Sequence, residues 1–74
     1  MAIYNDVLKI AKNYLGLAAE EYIDRRCRIS LSMKAEDLGI ENLDRLAESI
    51  GLSATAYISE DKVKAFAKEI LELK

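Results

Sequence analysis

The chain has no proline, no histidine and no tryptophan, one cysteine, and three glycines in 74 residues. Each scarcity removes a class of protein. A single thiol, Cys27, excludes an internal disulfide. Without histidine a zinc site lacks its commonest nitrogen ligand, and Cys27 lacks the base that would activate it as a nucleophile. There is no glycine-rich phosphate loop and no inward-facing acidic pair suited to acid–base work. Neither enzyme activity nor a cofactor is therefore expected. No run of about 18 apolar residues exists, so no membrane span is expected. The opening residues, Met1-Ala2-Ile3-Tyr4-Asn5-Asp6, lack a basic leader and a long apolar stretch. Together with the free thiol, this makes a cytoplasmic location the expectation. The net charge of −2 offers no basic excess, which disfavours general affinity for nucleic acid or membrane surfaces.

What is present is apolar residues at helical spacing. The composition is 51% hydrophobic and 32% charged, outside the disordered class. A core from so short a chain seldom yields more than about 3–5 kcal/mol of net stability. With disulfides and zinc set aside, helix packing and self-association are the remaining sources. Residues 1–31 hold five Lys/Arg against four Asp/Glu, and residues 32–74 hold six against nine. The second half is thus mildly acidic.

The patterning predicts an all-α fold, a small bundle of about four helices, or three longer ones plus a turn. The first runs from about Asn5, a good N-cap, to Leu15, with Val7, Leu8, Ile10, Ala11, Tyr14 and Leu15 on one face. Gly16 ends it or bends it. The second runs from about Leu17 to Ile29; its stripe is Ala18, Ala19, Tyr22, Ile23 and Cys27, with Ile29 or Leu31 beyond. Ser30 to Gly39 connects, with Glu36-Asp37-Leu38 as a short turn and Leu38 in the core. A third begins near Ile40. Leu43, Leu46, Ala47, Ile50, Ala54 and Tyr57 keep the period across Gly51, favouring one helix to about Tyr57. The competing reading stops at Ile50 and turns at Gly51-Leu52-Ser53. Ser59 is placed to cap the last helix, whose buried face is Val63, Phe66, Ala67, Ile70 and Leu71.

Several constellations carry possible function. In Arg25-Arg26-Cys27-Arg28, Glu21 lies four residues before Arg25 and Asp24 four before Arg28, which predicts two surface ion pairs and leaves Arg26 free. Asp37, Glu41, Asp44 and Glu48 form a carboxylate row along the third helix. It reads as a solvent face or a docking ridge, since regular helical spacing does not converge ligands on a cation. Cys27 falls in an apolar stripe, as an inert core thiol does. Of the four tyrosines, Tyr14 and Tyr22 are expected at core edges, while Tyr4 and Tyr57, near element ends, are placed for a subunit contact.

Three resemblances bear on these residues. Asp37-Leu38-Gly39-Ile40-Glu41-Asn42-Leu43-Asp44 resembles the prosthetic-group site of acyl carrier proteins, but Asn42 stands where the modified serine belongs. An amide cannot form the required phosphodiester. Leu43-Asp44-Arg45-Leu46-Ala47-Glu48-Ser49-Ile50-Gly51-Leu52-Ser53 looks like the first helix and turn of a helix-turn-helix regulator, with Gly51 as the left-handed turn. The recognition helix this implies would begin near Ser53, and it has no arginine or lysine before Lys62 for phosphate and guanine contacts. Finally, Asn13-Tyr14-Leu15-Gly16-Leu17-Ala18-Ala19 is similar to small helical modules attached to bacterial signalling proteins, beside receiver domains or kinases. Leu17 departs from that pattern where proline is usual. This likeness implies a non-catalytic interaction role and brings no site residues.

The resulting expectation is a regulatory or protein–protein interaction module working through helix faces, as a homodimer or on a larger protein partner. The residues singled out for contact are Tyr14, Ala18, Tyr22 and Arg26. The alternative is a helix-turn-helix DNA-binding transcriptional regulator.

Overall fold

Long stretches free of proline, with apolar residues every three or four positions, leave the backbone one economical way to pair its polar groups. The computed structural model describes residues 3–74, so the first two residues of the leader reading lie outside it. The α-helical segments are α1 (Ile3–Leu15), α2 (Ala19–Ser30), α3 (Leu43–Ser53) and α4 (Glu60–Leu71). No strand occurs among the described residues, and the fold is all-α.

The expected count of about four helices is corrected by how these segments join, in favour of the alternative of three longer ones plus a turn. The succession of helical elements is unbroken from Ile3 to Ser30, because a 3-10 turn at Gly16–Ala18 links α1 directly to α2 with no loop between them. It is unbroken again from Ile40 to Ala56, where 3-10 turns flank α3. With α4, that makes three helical runs, plus a lone 3-10 turn at Ala35–Asp37. Gly16 ends α1 and turns the first run back on itself, so that α1 and α2 pack together. Its φ of +60° is a left-handed conformation that glycine adopts without a Cβ penalty. Gly51, by contrast, sits inside α3 and has no positive φ.

Two caps differ from expectation. Asn5 lies within α1, which begins at Ile3. Ser59 does precede α4, in extended backbone, but its side chain makes no capping bond; its carbonyl accepts from the Val63 N–H at 2.9 Å. The end of α2 is closed instead by backbone. The N–H groups of Leu31 and Met33 both donate to the Cys27 carbonyl at 3.1 Å, around Ser32 at φ 53°.

α1 packs on α2 and α4, and α3 packs on the same two, so the stripes converge on one core. Phe66 of α4 is completely buried there. Tyr14 stacks on it with ring centroids 5.0 Å apart, and Tyr22 approaches at 6.4 Å. Val7, Ile23, Cys27, Leu43, Leu46, Ile50 and Ile70 fill the remaining volume. Leu31 and Leu38 join them from the connection, while Ile29 faces outward. Truncating a buried phenylalanine costs about 3–5 kcal/mol, as much as a core of this size supplies in total. Phe66 is therefore the residue on which closure of the first helical run against α4 depends.

Candidate interaction surface

The face that distinguishes this molecule from a plain bundle is the seam between α2 and α3, and its polarity begins in the sequence. Ser49 and Ser53 fall one turn apart on α3, within reach of Ser30 and Tyr22 on α2. The Ser30 and Ser49 hydroxyls bond each other at 2.8 Å, and Tyr22 Oη lies 2.6 Å from Ser53 Oγ. Ser53 Oγ also donates to the Ser49 carbonyl at 2.8 Å, which anchors it for Tyr22. Burial drives the Tyr22 phenol upward from its ordinary pKa, partly offset by the Ser53 hydrogen bond and the Arg26 charge. Net hydrogen bonds are worth about 1 kcal/mol each, so this ladder sets the register of α2 against α3 more than it adds stability.

Two shallow recesses open along the seam. One is lined by Ala18, Glu21, Tyr22, Arg25 and Tyr57. There Tyr57 is 54% exposed and meets the Tyr22 ring edge-on, 5.5 Å between centroids. The other is lined by Arg26, Ser30, Arg45, Glu48, Ser49 and Leu52. Leu52 is 81% exposed, a large apolar side chain standing in water. Arg26 has its guanidinium carbon 5.8 Å from the Tyr22 ring centre, and its Nε is buried with no hydrogen-bond partner. The flanking ion pairs form as their spacing predicts, Arg25–Glu21 at 2.9 Å and Arg28–Asp24 at 3.0 Å.

Of the four residues singled out from the sequence, Ala18, Tyr22 and Arg26 lie on this seam. Tyr14 lines neither recess; it stacks on Phe66 and donates its hydroxyl proton to the Glu69 carboxylate. That hydrogen bond raises its pKa. Tyr4 is half-buried and packs against the core, whereas Tyr57 lies outside it rather than in the third stripe. Leu71 is likewise exposed rather than part of the α4 stripe. Sequence reasoning missed Leu52 and Arg45. The signal for Leu52 was available, because it breaks the period set by Leu43, Leu46, Ala47 and Ile50. A leucine off the stripe is a leucine facing solvent.

The features behind the other resemblances have local structural uses. Asn42 Oδ1 accepts the Gly39 N–H at 2.9 Å, and the Asn42 N–H returns to the Gly39 carbonyl at 3.0 Å. The side chain at the carrier-type position thus closes the turn that starts the second helical run. The helical backbone at Gly51 carries α3 through the place where the helix-turn-helix likeness requires a turn. Asp44 of the acidic row bonds Lys74 at 2.9 Å, and no group of three metal-ligating side chains converges among the described residues. Cys27 is fully buried, and burial pushes its thiol up to about 11, with the Asp24 charge adding to the effect. Among the described residues, no helix is long and apolar enough to cross a membrane. No family model, no curated protein and no solved structure matches this chain.

Proposed function

We propose that this protein is a non-catalytic interaction or regulatory module that works by burying the α2–α3 seam against another protein chain. The observation that carries this reading is that Leu52 and Tyr57 stand exposed in the two recesses of a seam whose Arg26 has an unsatisfied buried Nε. Exposed apolar side chains ringed by charge make up the centre and rim of a protein contact. Ala18 keeps the groove open at one end because a methyl group leaves room for an approaching helix. The likeness to helical modules of bacterial signalling proteins points to the same cytoplasmic, regulatory role. DNA binding has no comparable support, because the turn at Gly51 is helical and the residues after it are acidic.

The test is site-specific photo-cross-linking of the full chain in cells. A photoreactive residue at Leu52 is expected to capture protein, and the same residue at Lys64 on α4 is not. Leu52→Glu, introduced with the probe moved to Tyr57, is expected to abolish capture. No adduct at either seam position, or a duplex-DNA gel shift that weakens steeply with salt, would refute the proposal.

A further inference from the structure

The recess beside Leu52 contains charges of both signs that do not neutralise one another. Ion pairs among the described residues join Arg25 to Glu21, Arg28 to Asp24, Lys64 to Glu60 and Lys74 to Asp44. None takes Arg26, Arg45 or Glu48, although all three line the same recess. The single hydrogen bond of Arg45 is a long one, 3.4 Å to the Ser30 carbonyl. Arg26 offers a buried Nε that donates to nothing. The Ser30–Ser49 pair uses one hydroxyl proton between them, so the other remains available to donate.

These features restrict the occupant. An acidic segment from a foreign partner would satisfy the arginines and be repelled by Glu48. A basic segment would meet Glu48 and be repelled by Arg26 and Arg45. A surface carrying the same mixture, turned through a half-circle, satisfies every group at once. Self-complementarity of this kind is the defining property of an isologous contact. Resting on the seam reading above, we infer that the occupant is a second copy of this chain. The copies dock about a two-fold axis through the recess. Glu48 of each meets Arg26 of the other, and the two Leu52 side chains close over the seam and exclude water. Attraction between opposite charges strengthens several-fold when water leaves, which explains why these groups gain from pairing between copies what exposure denies them within one.

Sedimentation of the full chain over a range of concentrations tests the arrangement. The wild-type chain is expected to form dimers as concentration rises. Glu48→Arg and Arg26→Glu, each alone, place like charges at both contacts and are expected to weaken association by at least about tenfold. Mixing the two variants sets two carboxylates of one chain against two guanidiniums of the other, so the mixture is expected to dimerise although neither variant does. Should Arg26→Glu fail to fold by circular dichroism, Arg26→Gln replaces it in the mixture, where Glu48 of that chain still meets Arg26 of the other and no like charges face each other. A mixture no more associated than its components overturns the inference. So does a wild-type chain that stays monomeric while the Leu52 probe captures a protein of another mass; the seam reading would then stand without self-docking. A dimer that Leu52→Glu dissolves and the charge variants leave intact overturns the charge pairing alone.

Discussion

Replacing Gly51 by alanine is expected to stabilise the protein, and the size of the gain follows from where the glycine sits. It lies in the interior of α3 with ordinary helical backbone, and a Cβ added there meets no heavy atom within 4 Å. The substitution therefore adds neither clash nor strain. It removes the conformational freedom that glycine has in the unfolded chain, which is worth about 0.4–1 kcal/mol and agrees with the helix-propensity difference of about 1 kcal/mol. For a domain of this length, 1 kcal/mol raises Tm by roughly 4–8 °C. Gly16→Ala is the internal control. It also meets open space, but at φ +60°, where a side chain costs about 1–2 kcal/mol, so that variant is expected to lose stability. Urea titrations followed by far-ultraviolet circular dichroism would measure both. Opposite signs support the two backbone assignments. A loss at Gly51 would mean that the glycine turns the chain there, as the helix-turn-helix likeness requires, and the continuous second helical run would be wrong.

Other outcomes are expected from the same geometry. Tyr22→Phe removes the bond to Ser53 while leaving the ring in place, and should cost about 1 kcal/mol in urea unfolding. Leu52→Glu should change stability by less than about 0.5 kcal/mol, because the side chain is exposed, while it abolishes association; a large loss of stability would place Leu52 in the core. Cys27 should resist a thiol reagent at mildly alkaline pH until the protein unfolds, since its thiol is buried and its pKa lies at about 11. The thiol ionises more readily in the unfolded chain, near its ordinary value of 9.0, than in the folded one. The contribution of Cys27 to stability is therefore fully present below about pH 9 and lost as pH rises from there to about 11. Raised phenols at Tyr4, Tyr14 and Tyr22 act with the same sign. Cys27→Ala should flatten the first part of that fall, measured as midpoint against pH.

The sequence is informative where spacing alone decides the outcome. Val7 and Ala11, Tyr22 and Ile23, Leu43, Leu46 and Ile50, and Val63, Phe66 and Ile70 are all inside, because a helix presents residues three and four apart on one side wherever it is placed. The Glu21–Arg25 and Asp24–Arg28 pairs follow from the same local geometry. Helix ends were less legible. Asn5 and Ser59 have the chemistry of caps, yet neither side chain serves as one. Gly16 was legible as an end or a bend, and its φ of +60° joins α1 to α2 through a single 3-10 turn with no loop between them.

The contact surface depended on relations that no local pattern contains. Tyr57 keeps the period of the third stripe and still faces solvent, because the backbone tightens into a 3-10 turn at Ala54–Ala56 and carries it outward beside Tyr22. Arg26 and Glu48 are separated along the chain, and only the packing of α2 on α3 brings them to one recess. The amino-acid order by itself determined that the chain is helical and which side of each helix is greasy, since both are properties of a few consecutive residues. Which greasy sides found one another, and that Leu52 lies beside Arg26 and Ser30 of α2, was decided only in three dimensions. Which exposed apolar side chains end up beside one another is a property of the whole assembly of helices, because it is fixed only by how the helices pack.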